Sequence, residues 1–218
     1  MGAVGRLRRA LRRYGVTGTI RRSGELATEL VKVDQAHVWY ELPLRGERPK
    51  RELPPDFDLL RAGEEHLPML HHLWAIDDDE ARRRLRTHGT LWLVVNGGRP
   101  AFSCWTFRER TPIRAAQGGW LELPSDAVCL EESLTAPDYR GRGVAPGAWC
   151  EIADRLADEP AERLVTAVEE DNIPSRKAVE KIGFREIGVA RTTKRGRRLS
   201  VSVTHSADSA AFLDGLAR

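Results

Sequence analysis

The chain has 218 residues, 41% of them hydrophobic and 31% charged, with a formal net charge of +3. That length buries a full core as one domain with an extension or as two small domains, and no apolar run approaches the roughly 18 residues of a membrane-spanning helix. Residues 1–24 hold seven arginines and no acid, which leaves 28 basic against 32 acidic residues for the rest, so the body is not a general binder of polyanions.

In chain order, Val4, Leu7, Leu11 and Tyr14 fall on one face of a basic amphipathic helix. Such a helix either docks on its own protein or lies on nucleic acid or an anionic membrane, and any partner of that kind belongs to residues 1–24. No apolar signal core follows the arginines, and three widely spaced cysteines read as reduced thiols, so a cytoplasmic location is expected. Residues 27–44 read as one or two strands, and 45–55, with three prolines, as a linker. The expected division is an extension over 1–55 and a domain over 56–218.

Within that domain the pattern predicts a strand at 57–63 and helices at 64–74 and 77–89, the second acid-capped and ended by Gly89. Strands at 90–95 and 100–110 flank a tight turn, and a loop runs to Pro124. A long strand at 126–136 leads into a helix over 143–159. A strand at 163–170, a helix at 175–183, a hairpin turning at 195–197 and a terminal helix at 207–217 complete the order.

The junction between strand 126–136 and the next helix, "PDYRGRGVAPGAW", carries the chemistry. The first free N–H groups of a helix and its dipole favour an anion there. Gly141 and Gly143 let a phosphate approach the main chain, Arg140 and Arg142 supply charge, and Pro146 suits a first turn. Ala148-Trp149 is not the Lys-Ser/Thr of a P-loop, and Pro146 breaks a dinucleotide GxGxxG. A diphosphate held by backbone amides without a metal fits, as does an ordinary glycine turn.

This stretch resembles the pyrophosphate loop of the GNAT superfamily of acyl-CoA N-acyltransferases, with Arg140, Gly143 and Ala145 on the family pattern. "VEEDNIPSRKAVEKIGF" (168–184) is similar to the family's second block, matching at Asn172, Ser175, Glu180, Lys181, Gly183 and Phe184. The resemblance covers about 56–205 and implies an α/β (mixed α+β) fold. Its central sheet is mixed, mostly antiparallel and flanked by helices, and here it carries an N-terminal helix and strand extension.

It also implies an N-acetyltransferase that moves the acetyl group of acetyl-CoA directly to an amine, with no metal. Ser133, Leu134 and Thr135 would pair with pantetheine. Arg140, Gly141, Arg142, Gly143, Val144 and Ala145 would hold the pyrophosphate, and Asn172, Ser175 and Lys177 the far end of the coenzyme, with Arg176 also in reach. Glu131 and Glu132 point to opposite faces of a regular strand. Glu132, sharing a face with Leu130 and Leu134, is the first choice of base, Glu131 the second, and an arginine partner for the carboxylate is the competing account. The family's frequent tyrosine acid is replaced by Val179, as in the branch acetylating ribosomal-protein N-termini. Neither water nor Tyr139 is singled out in its place.

A small-molecule amine such as an amino sugar or metabolite is the first acceptor expected. A protein N-terminus or lysine is second, and a non-catalytic acyl-CoA-binding module tethered by the arm is the rival class. A homodimer stays open. His71 and His72 beside Asp77, Asp78 and Asp79 can be drawn as a metal site, but capping explains the acids better. The same acids could attract a cationic amine, and the tip at 191–198 could hold a phosphorylated acceptor. Trp74, Trp105 and Trp120 lie near the expected acceptor side, where core packing accounts for them equally well.

Overall fold

The computed structural model describes residues 32–73, 77–87, 89–113, 115, 117–196, 198–205 and 208–218. The expected helix of the arginine arm, and the polyanion role attached to it, lie outside these residues, as does Trp74. Among the described residues there are ten strands: β1 (Lys32–Pro43), β2 (Phe57–Ala62), β3 (Gly89–Asn96), β4 (Arg99–Phe107), β5 (Arg110–Pro112), β6 (Trp120–Glu122), β7 (Ala127–Thr135), β8 (Arg163–Glu169), β9 (Arg185–Arg195) and β10 (Arg198–His205). The α-helices among them are α1 (Leu67–Leu70), α2 (Asp78–Arg86), α3 (Val144–Ala157) and α4 (Ile173–Lys181). Among the described residues no helix is long and apolar enough to cross a membrane.

Eight strands form one sheet in the order β10-β9-β1-β8-β7-β4-β3-β2, antiparallel throughout except for the parallel pair β7–β8. This is the mixed, mostly antiparallel sheet flanked by helices that the sequence predicted. The place of β1 was not predicted. Its strand sits inside the sheet, with Val38 opposite both Val168 of β8 and Val189 of β9. The physical reason is its period-2 alternation. Val38, Tyr40 and Leu42 enter the cluster beneath α3 and α4, while Trp39 joins the cluster on the other face. A strand apolar on both faces needs neighbours on both edges and cover on both sides.

The proline-rich stretch after β1 is likewise no loose joint. It crosses α3, where a Cβ on Gly147 would stand 2.8 Å from the Glu52 carbonyl oxygen. Arg48 pairs with Asp154, and the Cys150 thiol lies 3.7 Å from the Pro49 carbonyl oxygen. Only a glycine lets the strap lie this close.

Other boundaries move for local reasons. The expected helix over 64–74 is a 3-10 turn, Glu64–His66, followed by the short α1. Helix α2 stops at Arg86, and Gly89 opens β3 rather than closing the helix. Asp77 caps α2, its carboxylate accepting from the Asp79 and Glu80 N–H groups at 3.0 and 3.2 Å, which accounts for the acids there. The stretch read as a loop up to Pro124 contains the hairpin β5–β6. The C-terminal segment is a 3-10 run, Asp208–Ala217, that buries Ala210, Leu213 and Leu216 against the face of the sheet opposite α3.

Candidate functional site

Strands β7 and β8 pair only from Ala127–Arg163 to Leu130–Thr166, and the Thr166 hydroxyl donates to the Leu130 carbonyl at 2.8 Å at the fork. Beyond it the strands part and a cavity of about 200 Å³ opens between them. The parting coincides with a bulge. Pairing of β7 with β4 shifts register between Ser103 and Trp105, so Glu132 and Ser133 together face Cys104. Glu132 takes φ +56°, a left-handed conformation costly for a side-chain-bearing residue. Such a bulge bends and twists the strand that carries it.

At the C-terminal end of β7 the chain turns through the glycine loop into α3. Gly141 and Gly143 take φ +74° and +80°, and a Cβ on either would meet nothing within 4 Å. Gly143 is also the N-cap of α3, with no side chain capping the first turn. Its leading N–H groups therefore face an anion-sized approach over bare backbone. Arg142 lies over the rings of Phe57 and Tyr139, 5.7 Å from each, and the Arg140 Nε donates to the Thr135 carbonyl at 3.2 Å. The first turn is anchored from below, since Val144 is buried in the core. Ala145 packs at its margin. The Trp149 indole donates to the Ser133 hydroxyl at 3.0 Å, tying α3 to β7.

Several predicted residues come together around the cavity. Ser133, Asn172 and Ser175 line it, with Asn172 capping α4 by accepting from the Ser175 N–H at 3.4 Å. Others fall elsewhere. Leu134 packs into the cluster around Trp105, and Thr135 pairs with Phe102. Lys177 is exposed on α4. Arg176 turns back onto its own protein, donating to the Tyr40 hydroxyl at 2.8 Å and pairing with Glu186 at 3.5 Å. Val179, at the family's tyrosine position, is buried on the cavity wall, whereas the Tyr139 ring packs edge-on against Phe57.

The bulge overturns the expected placing of the two glutamates on opposite faces. Glu131 stands opposite Trp105 in register, which puts both on one face. Glu132 reaches Arg84, whose guanidinium lies over that same Trp105 ring at 5.4 Å. Both carboxylates therefore lean to the same side. Glu132 is not in the apolar company its alternation suggested, because Leu130 lies across the sheet and the carboxylate pairs with Arg84 at 2.7 Å. Glu131 is 8% exposed on the cavity wall, its Oε1 3.7 Å from the Cys129 sulfur.

Arg84 is a neighbour of these carboxylates that sequence reasoning missed. It is 9% exposed and binds Glu80 at 2.8 Å as well as Glu132. Burial works to raise the Glu80 carboxyl, but Arg84 and Arg83 outweigh it and hold the group below its usual range. Also missed were His37 and Trp39 of β1, Thr111, Ile113, Gln117 and Leu216, all on the cavity wall. Burial lowers the His37 pKa against the opposing pull of Glu169 and Asp171. The alternation of "AHVWYEL" was a legible sign that His37 and Trp39 share a face. Nothing local said which cavity that face would line. The cationic hairpin tip is partly neutralised, since Arg191 pairs with Glu170 and Asp34.

The three cysteine thiols are buried and free, and burial pushes each of them up, so none is poised as a nucleophile. What remains is a forked parallel pair, a glycine loop at a helix start and a cavity whose wall includes Glu131 and Glu132. Together they define an α/β protein with a cavity opening at a split in its sheet. A family model for the acetyltransferase (GNAT) domain matches residues 52–185, and the chain belongs to that family.

Solved structures agree on the fold. A Drosophila protein superposes with TM-score 0.56 at 16% identity, over 82% of this chain and 57% of its own. A protein from Kribbella flavida described as a GCN5-related N-acetyltransferase gives 0.54 at 13%, over 79% and 63%. One from Novosphingobium aromaticivorans, described as a GNAT-family acetyltransferase, gives 0.52 at 19%, over 80% and 66%. The chain thus spans about three fifths of the length of these three relatives. No curated protein matches it by sequence.

Proposed function

We propose that the protein is an acetyl-CoA-dependent N-acetyltransferase that transfers the acetyl group directly to the amine of a small molecule. The observation carrying this reading is the forked β7–β8 pair opening onto a cavity beside the glycine loop of α3. Pantetheine fits along the β7 backbone left without a β8 partner beyond Leu130, and the pyrophosphate fits Arg140, Gly141, Arg142, Gly143, Val144 and Ala145. Asn172 and Ser175 flank the cavity from α4. Amide N–H groups near Ser133 polarise the thioester carbonyl.

Of the two carboxylates, Glu131 is the better base. Both line the cavity, but the Glu132 carboxylate is held by the Arg84 guanidinium at 2.7 Å. The amine nitrogen forms the new N–C bond, and the C–S bond breaks with its electron pair on sulfur. The nitrogen's proton passes to Glu131, and the thiolate draws its proton from solvent. The products are an N-acetyl amine and coenzyme A. The neutral buried cysteines support direct transfer over an acyl-enzyme route.

Thermal unfolding with acetyl-CoA, against NAD and ATP, tests the reading. Ligand at about 100 times its dissociation constant adds roughly 2.7 kcal/mol, or about 5 °C or more for a chain of this size. A shift with NAD or ATP in place of acetyl-CoA would assign the loop to another phosphate.

A further inference from the structure

Of the three non-glycine residues with positive φ among the described residues, Asp56 and Glu109 lie between elements, and only Glu132 lies inside a strand. A left-handed backbone is costly for a glutamate and lasts only where the surroundings over-determine it. What holds it comes from α2. The Arg84 Nη1 donates to the Glu132 carboxylate at 2.7 Å, and the two side chains are 10% and 5% exposed. Arg84 is itself fixed. Its Nε donates to Glu80, one turn back on α2, at 2.8 Å, and its guanidinium lies over the rings of Trp105 and Phe107 at 5.4 and 5.8 Å. Gly89 at the start of β3 leaves the room, since a Cβ there would stand 3.1 Å from the Phe107 ring and 3.2 Å from the Arg84 Cβ. A planar guanidinium that meets two carboxylates at once has little freedom left. Parting a buried pair leaves a charge uncompensated, so the Glu132 carboxylate stays at Arg84 and its backbone stays with it.

We infer that Arg84 is a positioning residue for the coenzyme: by holding the Glu132 carboxylate it keeps residue 132 left-handed, and so keeps β7 bent away from β8 where pantetheine is proposed to lie. Arg84 is not among the described residues of the cavity wall, so it acts through Glu132 and not by touching a ligand. Without it residue 132 relaxes toward the ordinary extended region. The bulge opposite Cys104 then slips, and β7 straightens toward β8 over the stretch that is unpaired beyond Leu130. This rests on the acetyltransferase reading and adds what keeps its cleft open before the coenzyme arrives. A cleft that is open only part of the time binds more weakly in proportion.

Titration calorimetry with acetyl-CoA on the full chain tests it, each variant held below its own unfolding midpoint. The decisive comparison removes the Glu132 carboxylate in two ways. Glu132→Ala keeps the left-handed penalty, whereas Glu132→Gly abolishes it. Glu132→Ala should therefore bind acetyl-CoA about tenfold more weakly than Glu132→Gly, the size of one left-handed penalty. Arg84→Met keeps the length of the side chain and removes the guanidinium. It should weaken binding about tenfold in the otherwise unaltered chain. In the Glu132→Gly chain it should have no further effect, because no carboxylate is left to hold and no strain to offset. A side chain that merely packs α2 against Trp105 would give Arg84→Met the same effect in both backgrounds. Equal affinities for Glu132→Ala and Glu132→Gly would mean that no strained residue is being held. Either result overturns the inference and leaves the acetyltransferase reading standing. Should Arg84→Met not fold, the comparison of alanine with glycine decides by itself. An unaltered chain that neither binds acetyl-CoA in the calorimeter nor unfolds at a higher temperature in its presence removes both.

Discussion

Arg84 links the two carboxylates of α2 and β7 that the local sequence left unconnected. Its guanidinium lies over Trp105 and Phe107 and binds Glu80 and Glu132, so Glu132 is held in place on the cavity wall it shares with Glu131. The two glutamates should therefore respond differently to removal of charge. Glu131→Gln should lower kcat/KM by about a hundredfold or more, the contribution of a positioned base, with little change in unfolding temperature. Glu132→Gln leaves a buried guanidinium short of one partner and should cost about 3 kcal/mol of stability. Steady-state kinetics and denaturant unfolding on the same two preparations decide it. The reverse pattern returns the base to Glu132.

At the scale of elements, two glycines of one helix do opposite jobs. Gly143 starts α3 with a positive φ and open space around it, whereas Gly147, one turn on, lies against the backbone of Glu52 and Leu53. Gly143→Ala costs only the left-handed penalty of about 1–2 kcal/mol, yet it places a methyl where the pyrophosphate is proposed to approach. Titration calorimetry should show acetyl-CoA binding weakened about tenfold or more. Gly147→Ala instead drives a methyl into the strap, so it should lower stability while leaving the loop backbone available. If Gly143→Ala leaves affinity intact, the phosphate does not lie over this backbone.

For the whole molecule, the sheet depends on a strand that comes from well before the family-matched segment. Strand β1 hydrogen-bonds β8 on one side and β9 on the other, and it carries Trp39 and His37 to the cavity. Removing residues 1–44 would strip both of those edges and open the cluster that contains Val38, Tyr40, Leu42 and Leu44. Such a chain should show no cooperative thermal transition by circular dichroism. A sharp transition near that of the full chain would mean β8 and β9 close on each other without β1.

Much of this was already readable along the chain, because it depends on neighbours in sequence. The glycine-arginine loop, the Asp77 cap, the alternation of β7 and the turn at Gly196 are fixed by backbone preferences over a few residues. The element order followed from them, and with the two motifs so did the family. Position in the sheet was decided only by tertiary structure, because an alternating segment such as β1 is satisfied by any pair of edges that buries both its faces. The same holds for the glutamates. A regular strand separates Glu131 from Glu132, and only the bulge against β4, with Arg84 arriving from α2, set both on one face and gave one of them an arginine. The cavity wall on the face opposite α3 was the least legible part. It is assembled from β1, a three-residue hairpin strand, a loop and the terminal run, and no local pattern in those segments records that they meet.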